Sequence, residues 1–365
     1  MNITIPILDL TAQYIALREE IETAVVRVLR SGRYVLGPEV EALEAELGAM
    51  LGLGHVVGCA SGTDALSLAL RALGVGPGDE ILVPAFTFAA PAEAAALTGA
   101  APVFVDIDPD TFLIDPESCR NAVTDRTRAV VVVHLFGRPV NVAAIRDAVG
   151  PEVAIVEDCA QSFGAKIAGR ATGTFGQVAS LSFFPSKNLG ACGDGGAVAT
   201  DDPELAERVR ALRSHGSRRP YHHETLGLNS RLDELQAAIL RVKLPHVAEW
   251  NNKRGLIAEC YTEILRRQEG LRVPGSAEGH VWHQYTLLSP LRDAIRKRLA
   301  EDGVEGRVYY PIPLHQQEAY AQWAAGVSLP AAEQASRQCL SLPMFPELQP
   351  AHVERICASI ARACD

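Results

Sequence analysis

Nowhere in the 365 residues does an apolar run approach the ~20 that a membrane-spanning helix needs. The opening stretch, MNITIPILDLTAQYIALREE, lacks a basic segment followed by an apolar one, so no secretory signal is read there and a soluble, cytoplasmic protein is expected. Positive charge is scarce as well. The 34 Lys and Arg are outnumbered by 44 Asp and Glu, a formal charge of −10. Binders of nucleic acid and of anionic membranes concentrate cations to neutralise phosphates, so neither partner is expected. A small anionic ligand held by a few local groups stays compatible with this charge.

Paired cysteines are missing too. The eight, at 59, 119, 159, 192, 260, 339, 357 and 364, are scattered and form no CxxC pair, so buried free thiols are expected rather than disulfides or a zinc site. His222-His223-Glu224 and His280-x-x-His283 do not match HExxH, and no metal is expected. There is no GxxxxGK phosphate loop and no GxSxG elbow. The run GDGGAV is not a GxGxxG opening a helix after a first strand, which removes the nicotinamide oxidoreductases.

What is present is alternation. VEALEAELGAML (40–51) and TDALSLALRAL (63–73) carry helical spacing, while HVVGCA, ILVPAF, APVFVDID, RAVVVVHLFG, VAIVEDCA and VASLSFF are short apolar, β-branched runs. Such runs between helices predict an α/β fold with a mainly parallel sheet covered on both faces. From Arg231, RLDELQAAILRVKLP reads as an amphipathic helix, and a second long helix is expected from about Ala248 to Arg267. Beyond it VWHQYTLLS and GRVYY read as strands around the helical LRDAIRKRLAEDG. The expected division is a large domain over 1–245 and a smaller α+β domain over 246–365, with the N-terminal segment free to pack on the latter.

In parallel sheets, ligands gather at the carboxyl ends of the strands, so the residues there matter most. Ser61, Gly62 and Thr63 stand between a strand and a helix, where free N–H groups favour an anion, although Ser61 and Asp64 also fit a simple capping box. Asp158 and Gln161 follow VAIVED, Phe86 and Phe88 follow ILVP, and Ser182 and Lys187 follow VASLS. Each has an ordinary structural reading as a helix cap, a core ring or a strand-edge lysine. Together they supply a phosphate pocket, an acid for a pyridine nitrogen, a flat ring to stack and an amine for an aldehyde. That is what pyridoxal phosphate (PLP) requires.

The ordered set SGRYVLGPEVEALE, GCASGTDAL, VPAFTFAAPAEA, GAAPVFVDIDPDTFLID, VEDCAQSFGA, SFFPSKNLGACGDGGAV, YHHETLGLNSRLDELQAAILRVKL and YYPIPLHQQ resembles the DegT/StrS family of PLP-dependent sugar-nucleotide aminotransferases over nearly the whole chain. The resemblance implies fold type I: a large domain with a mainly parallel mixed sheet between helices, a small α+β C-terminal domain, and active sites shared across a homodimer. It implies Lys187 as the Schiff-base lysine, Asp158 at the pyridine nitrogen, Gln161 near the ring hydroxyl and Phe88 stacked on the ring. Gly62, Thr63 and Ser182 match phosphate contacts, and Asn229 matches an asparagine reaching the phosphate from the neighbouring subunit. Arg231, Tyr309 and His315 fall where family members approach the sugar.

The implied donor is glutamate and the implied acceptor a nucleotide-linked keto-hexose. YHHETLGLNSRLDELQAA looks closest to members acting on 3-keto sugars, with the 4-keto class as the alternative. Pro91 departs from the small hydroxyl residue common in the family. Related dehydratases carry histidine where Lys187 stands. A non-catalytic regulatory or binding protein on the same fold would be expected to have lost a cofactor residue, and none is missing.

Overall fold

The computed structural model describes residues 5–364. Its centre is a seven-stranded sheet whose order, from one edge to the other, is His55–Cys59, Gly196–Thr200, Val178–Ser182, Ala154–Asp158, Thr127–Val133, Glu80–Pro84 and Ala101–Val105. Gly196–Thr200 runs antiparallel to both of its neighbours, and the other pairings are parallel. Val130, Val131 and Val132 are wholly buried, as expected of a strand covered on both faces by helices. The covering helices start at recognisable signals. Asp115 and Asp202 each cap two backbone N–H groups, and each is followed by a proline at the first helical position.

A second core lies in the C-terminal part. The strands Tyr285–Leu288 and Cys339–Leu342 pair antiparallel, and helices Val247–Leu265, Arg292–Glu301 and Pro350–Cys364 surround them. Ile5 is buried in this cluster, so the start of the described chain packs on the end of it. The helix Val247–Leu265 joins the two cores, since Val247 and Trp250 belong to the cluster against the large sheet and Ile257, Ala258, Tyr261 and Leu265 to the C-terminal one. Among the described residues no helix is long and apolar enough to cross a membrane.

Three expected elements are shorter in the structure. The helix read from Arg231 begins at Glu234, because Leu232 packs into the spaces left by Gly58 and Gly195 while the buried Glu234 carboxylate accepts hydrogen bonds from Gly37, Glu39 and Val40. GRVYY reduces to an isolated bridge between Arg307 and Ser341, after which Tyr310 joins an aromatic cluster, 5.9 Å from Phe86. In VWHQYTLLS only Tyr285–Leu288 is strand, since Val281 and Gln284 donate instead to carbonyls of Gly137 and Phe136.

Candidate active site

Pairing sets the geometry of the site. Gly196 lies opposite both Cys59 and Ser182, so the carboxyl ends of His55–Cys59 and Val178–Ser182 flank it at one edge of the sheet. Ser61 caps the helix Gly62–Ala72, its Oγ accepting from the Asp64 N–H at 3.1 Å. The capping reading is therefore correct for Ser61, and the N–H groups of Gly62 and Thr63 still have no acceptor within the helix. A β-carbon on Gly62 would lie 2.7 Å from that of Ser182, and one on Gly196 would lie 2.3 Å from the Ser61 carbonyl oxygen. Glycine is required at both places for close approach, and the result is a cradle of N–H groups beside the Ser182 hydroxyl. Ser230 ties this cradle to a distant segment, accepting from Ala60 N at 3.1 Å and donating to Asp64 Oδ2 at 2.6 Å.

Asp158 ends the next strand and is buried. Its Oδ1 accepts from Ala160 N at 3.0 Å and lies 3.5 Å from the Ser180 hydroxyl, while Oδ2 has no hydrogen-bond donor among the described residues. Burial pushes its pKa above the ordinary 3.8, with the Ala160 N–H and the Lys187 charge pulling the other way. Gln161 is held at both ends of its amide: Oε1 accepts from Phe136 N at 2.6 Å, and Nε2 donates to the Tyr310 hydroxyl at 3.2 Å. Phe136 has a left-handed backbone, φ 57°, in the loop that supplies this N–H.

Glu157 precedes Asp158 on the same strand, so its side chain points to the opposite face. It is buried, 2.9 Å from His134 Nε2, and accepts N–H bonds from Gly173, Phe175 and Gly176. Burial works against this carboxylate, but His134 and the amides outweigh it and its pKa lies below the ordinary value. His134 Nδ1 accepts from Val140 N, so the hydrogen-bond pattern places the ring proton on Nε2, toward Glu157. His134, Glu157 and Cys159 offer three donor atoms within 4.8 Å of one another. Both His134 nitrogens and both Glu157 oxygens are committed to these bonds, however, and burial raises the Cys159 thiol well above its ordinary pKa. The cluster is a brace under Asp158, whose carbonyl accepts from His134 N.

Lys187 lies in the tight loop after Val178–Ser182, its N–H donating to Phe184 O at 2.8 Å. Its ammonium has no hydrogen bond or ion pair among the described residues. Desolvation lowers its pKa, with Asp158 acting in the opposite sense. Of the two aromatics before it in the loop, Phe183 is buried and Phe184 is exposed. An amine that is half-buried, unpartnered and depressed in pKa is suited to attack an aldehyde.

The remaining candidates divide. Phe86 is core, packed on Phe112, Phe136 and Tyr310, whereas Phe88 is 57 % exposed with its ring 6.4 Å from Tyr310. Tyr309 and Arg231 are half-buried, and Asn229 is exposed. His315, expected to approach a sugar, is buried, its Nε2 3.3 Å from Glu333 Oε1. The sequence reading missed Tyr310, Ser230, His134 and Glu157. Only Glu157 left a signal: two consecutive acids on a strand face opposite ways, so one of them had to find partners on the far side.

The chain matches the DegT/DnrJ/EryC1/StrS aminotransferase family over residues 16–361. It is 47 % identical over 364 residues to the UDP-N-acetyl-3-dehydro-alpha-D-glucosamine 3-aminotransferase of Acidithiobacillus ferrooxidans, covering 99 % of this chain and 98 % of that one. It is 48 % identical over 349 residues to the dTDP-3-amino-3,4,6-trideoxy-alpha-D-glucose transaminase of Streptomyces venezuelae, covering 94 % of this chain and 92 % of that one. The crystal structure of S. venezuelae DesV in complex with a ketimine intermediate superposes with a TM-score of 0.96 at 46 % identity, over 99 % of both chains. Other solved relatives are in PLP and pyridoxamine phosphate forms.

The glycine-lined cradle, the open Oδ2 of Asp158 and the unpartnered Lys187 amine fit that cofactor, and the chain belongs to the DegT/DnrJ/EryC1/StrS aminotransferase family as a PLP-dependent enzyme.

Proposed function

We propose that this sugar aminotransferase moves an amino group from glutamate to a nucleotide-linked 3-keto-hexose. The observation that carries the sugar and its carbon is the pair of relatives near half identity, one named as a 3-aminotransferase of a 3-dehydro sugar and the other as a transaminase of a 3-amino sugar, differing in nucleotide. In this reading Gly62 N–H, Thr63 N–H and the Ser182 hydroxyl hold the cofactor phosphate. The charge on that phosphate favours the helix N-terminus. Asp158, through Oδ2, keeps the pyridine nitrogen protonated. Gln161, fixed by Phe136 and Tyr310, meets the ring hydroxyl, and Phe88 covers the ring face. Asn229 of the partner subunit completes the phosphate site in a homodimer, and Arg231 and Tyr309 face the sugar.

Bound PLP supplies an electrophilic aldehyde and an electron-withdrawing pyridinium. The protein supplies the proton handling. Burial lowers the pKa of the Lys187 amine, which favours the neutral form that would bind the aldehyde and serve as a base. With the cofactor bound, the Lys187 amine would move a proton between the donor's α-carbon and C4′ of the cofactor. A pyridinium beside Asp158 would favour its ionised form against the burial that raises its pKa, since an opposite charge lowers a carboxyl's pKa. The same residues run in reverse on the keto-sugar, giving ping-pong kinetics.

The test is to load the protein with PLP, convert it with glutamate, and offer UDP- and dTDP-linked 3-keto and 4-keto hexoses separately. Conversion of the absorbance spectrum by glutamate and its reversal by a 3-keto sugar are expected, with the amine located by NMR. Amination confined to C4, or no spectral response to glutamate, would overturn the corresponding part of the assignment.

A further inference from the structure

Asn188 follows Lys187 in the chain, is buried, and is bonded by three residues from two separate segments. Its Nδ2 donates to Asn251 Oδ1 at 2.7 Å and to the Val281 carbonyl at 3.1 Å, and its Oδ1 lies 3.0 Å from His283 Nδ1. A backbone carbonyl only accepts, so the end of Asn188 facing Val281 must be the NH2 and the end facing His283 must be the oxygen. His283 therefore donates from Nδ1, and its Nε2 keeps a free lone pair. Asn251 stands on Val247–Leu265, the helix shared by the two cores, and is itself anchored by Nδ2 to Phe163 O at 3.0 Å.

Two glycines hold this arrangement tightly. A β-carbon on Gly164 would lie 2.7 Å from Asn251 Nδ2, and one on Gly137 would lie 2.8 Å from His283 N. The charged groups bearing on His283 are Lys187 and Arg254, with Asp158 acting on Lys187. Burial and those two cations hold the imidazole well below its ordinary pKa, so it is neutral at physiological pH.

We propose that His283 is a positioning residue for Lys187, acting through Asn188: the Nδ1–H bond to Oδ1 fixes the Asn188 side chain, and with it the backbone from which the reactive amine projects. The position of the amine is thus set by residues of the segment entering the C-terminal core rather than by the loop alone. This rests on the reading of Lys187 as the cofactor-binding lysine.

The test compares the full-length wild type with His283→Leu, His283→Asn and His283→Gln. Asparagine can return an N–H near the Nδ1 position, whereas glutamine places its N–H nearer Nε2. Apo-protein is mixed with PLP at a series of pH values, covalent capture is followed by absorbance, and Lys187 is identified by borohydride trapping and peptide mass. Lys187→Ala is the control. His283→Leu should slow capture about 10-fold and lower kcat by a similar factor with the KM for the sugar unchanged, the scale expected when a buried acceptor loses its donor.

His283→Asn should recover to within about threefold of wild type and His283→Gln should not, because only the first restores the bond to Asn188. If His283→Leu does not fold, the Asn and Gln pair decides alone. Equal capture rates and pH profiles across the variants would overturn the proposal, as would parallel slowing of Asn and Gln with a common loss of thermal stability. A wild type that captures PLP elsewhere than Lys187 would overturn both this inference and the site reading beneath it.

Discussion

The floor of the site and the arm spanning residues 217–231 are built on opposite terms. On the floor, His134, Glu157, Asp158 and Gln161 are buried, and each is bonded to donors or acceptors from its own chain. The arm is a two-stranded ribbon, Ser217–Arg219 with His222–His223, whose register is interrupted by a bulge. Tyr221, at its turn, is 99 % exposed, and Leu226, beyond its second strand, is 88 % exposed. An isolated ribbon of this kind is marginal in water, so its own pairing does not account for its order. Its root is firm, since His215 N donates to Leu228 O at 2.8 Å and Leu228 N to Leu212 O at 2.7 Å. The hydrogen bonds of the floor are thus completed within one chain, whereas Tyr221 and Leu226 on the arm are left uncovered by their own chain.

Removing the reactive group from the floor should give the largest effect. Lys187→Ala is expected to lower kcat by about 10³-fold or more, since on the proposed reading it deletes both the nucleophile and the proton carrier, while PLP is still held non-covalently. Steady-state rates and borohydride trapping check this, and turnover near the wild-type rate would remove Lys187 from the mechanism. The arm should be unaffected, so the oligomeric state measured by sedimentation should not change.

The next effect separates stability from chemistry. Glu157→Ala strips a buried carboxylate from His134 and three backbone N–H groups and should cost about 3–5 kcal/mol, as breaking a buried pair does. Tyr221→Ser, on the arm, should change monomer stability by no more than ~0.5 kcal/mol because the ring touches nothing in its own chain. Urea unfolding of the two variants measures the contrast. A Glu157→Ala protein as stable as wild type would mean that the brace contributes little, and the two regions would then differ in burial only.

How far the sequence announced these regions follows from the range of the interactions. The strands were legible because Val130–Val133 and their neighbours form uninterrupted apolar runs, and the candidates at strand ends followed from the rule that ligands sit there. What stayed hidden are pairs joined across the fold. His134 meets Glu157 over 23 residues, Asn188 meets His283 over 95, and Gln161 meets Tyr310 over 149. No local periodicity encodes such partners. Element boundaries failed for the same reason: Leu232 and Glu234 serve contacts with Gly58, Gly195 and the helix Pro38–Leu51, so the helical pattern began before the helix did.

The smallest predicted effect on the site itself tests the junction of the two regions. Asn229 is exposed, yet the next residue, Ser230, is buried and bonded to Asp64 and Ala60 beside the cradle of the same chain. The backbone at Asn229 is therefore fixed while its side chain projects outward. In a dimer with two-fold symmetry, a residue displayed by one copy serves the other, and each copy gives what it receives. Asn229→Ala should leave the folding of the single chain intact, because no bond within that chain is lost. PLP retention should weaken by about 10-fold, the scale of one hydrogen bond to a charged phosphate. Cofactor dissociation constants, read beside sedimentation of the same samples, decide the point. Unchanged retention in the variant, or a wild type that is monomeric and fully active, would return the phosphate site to one chain.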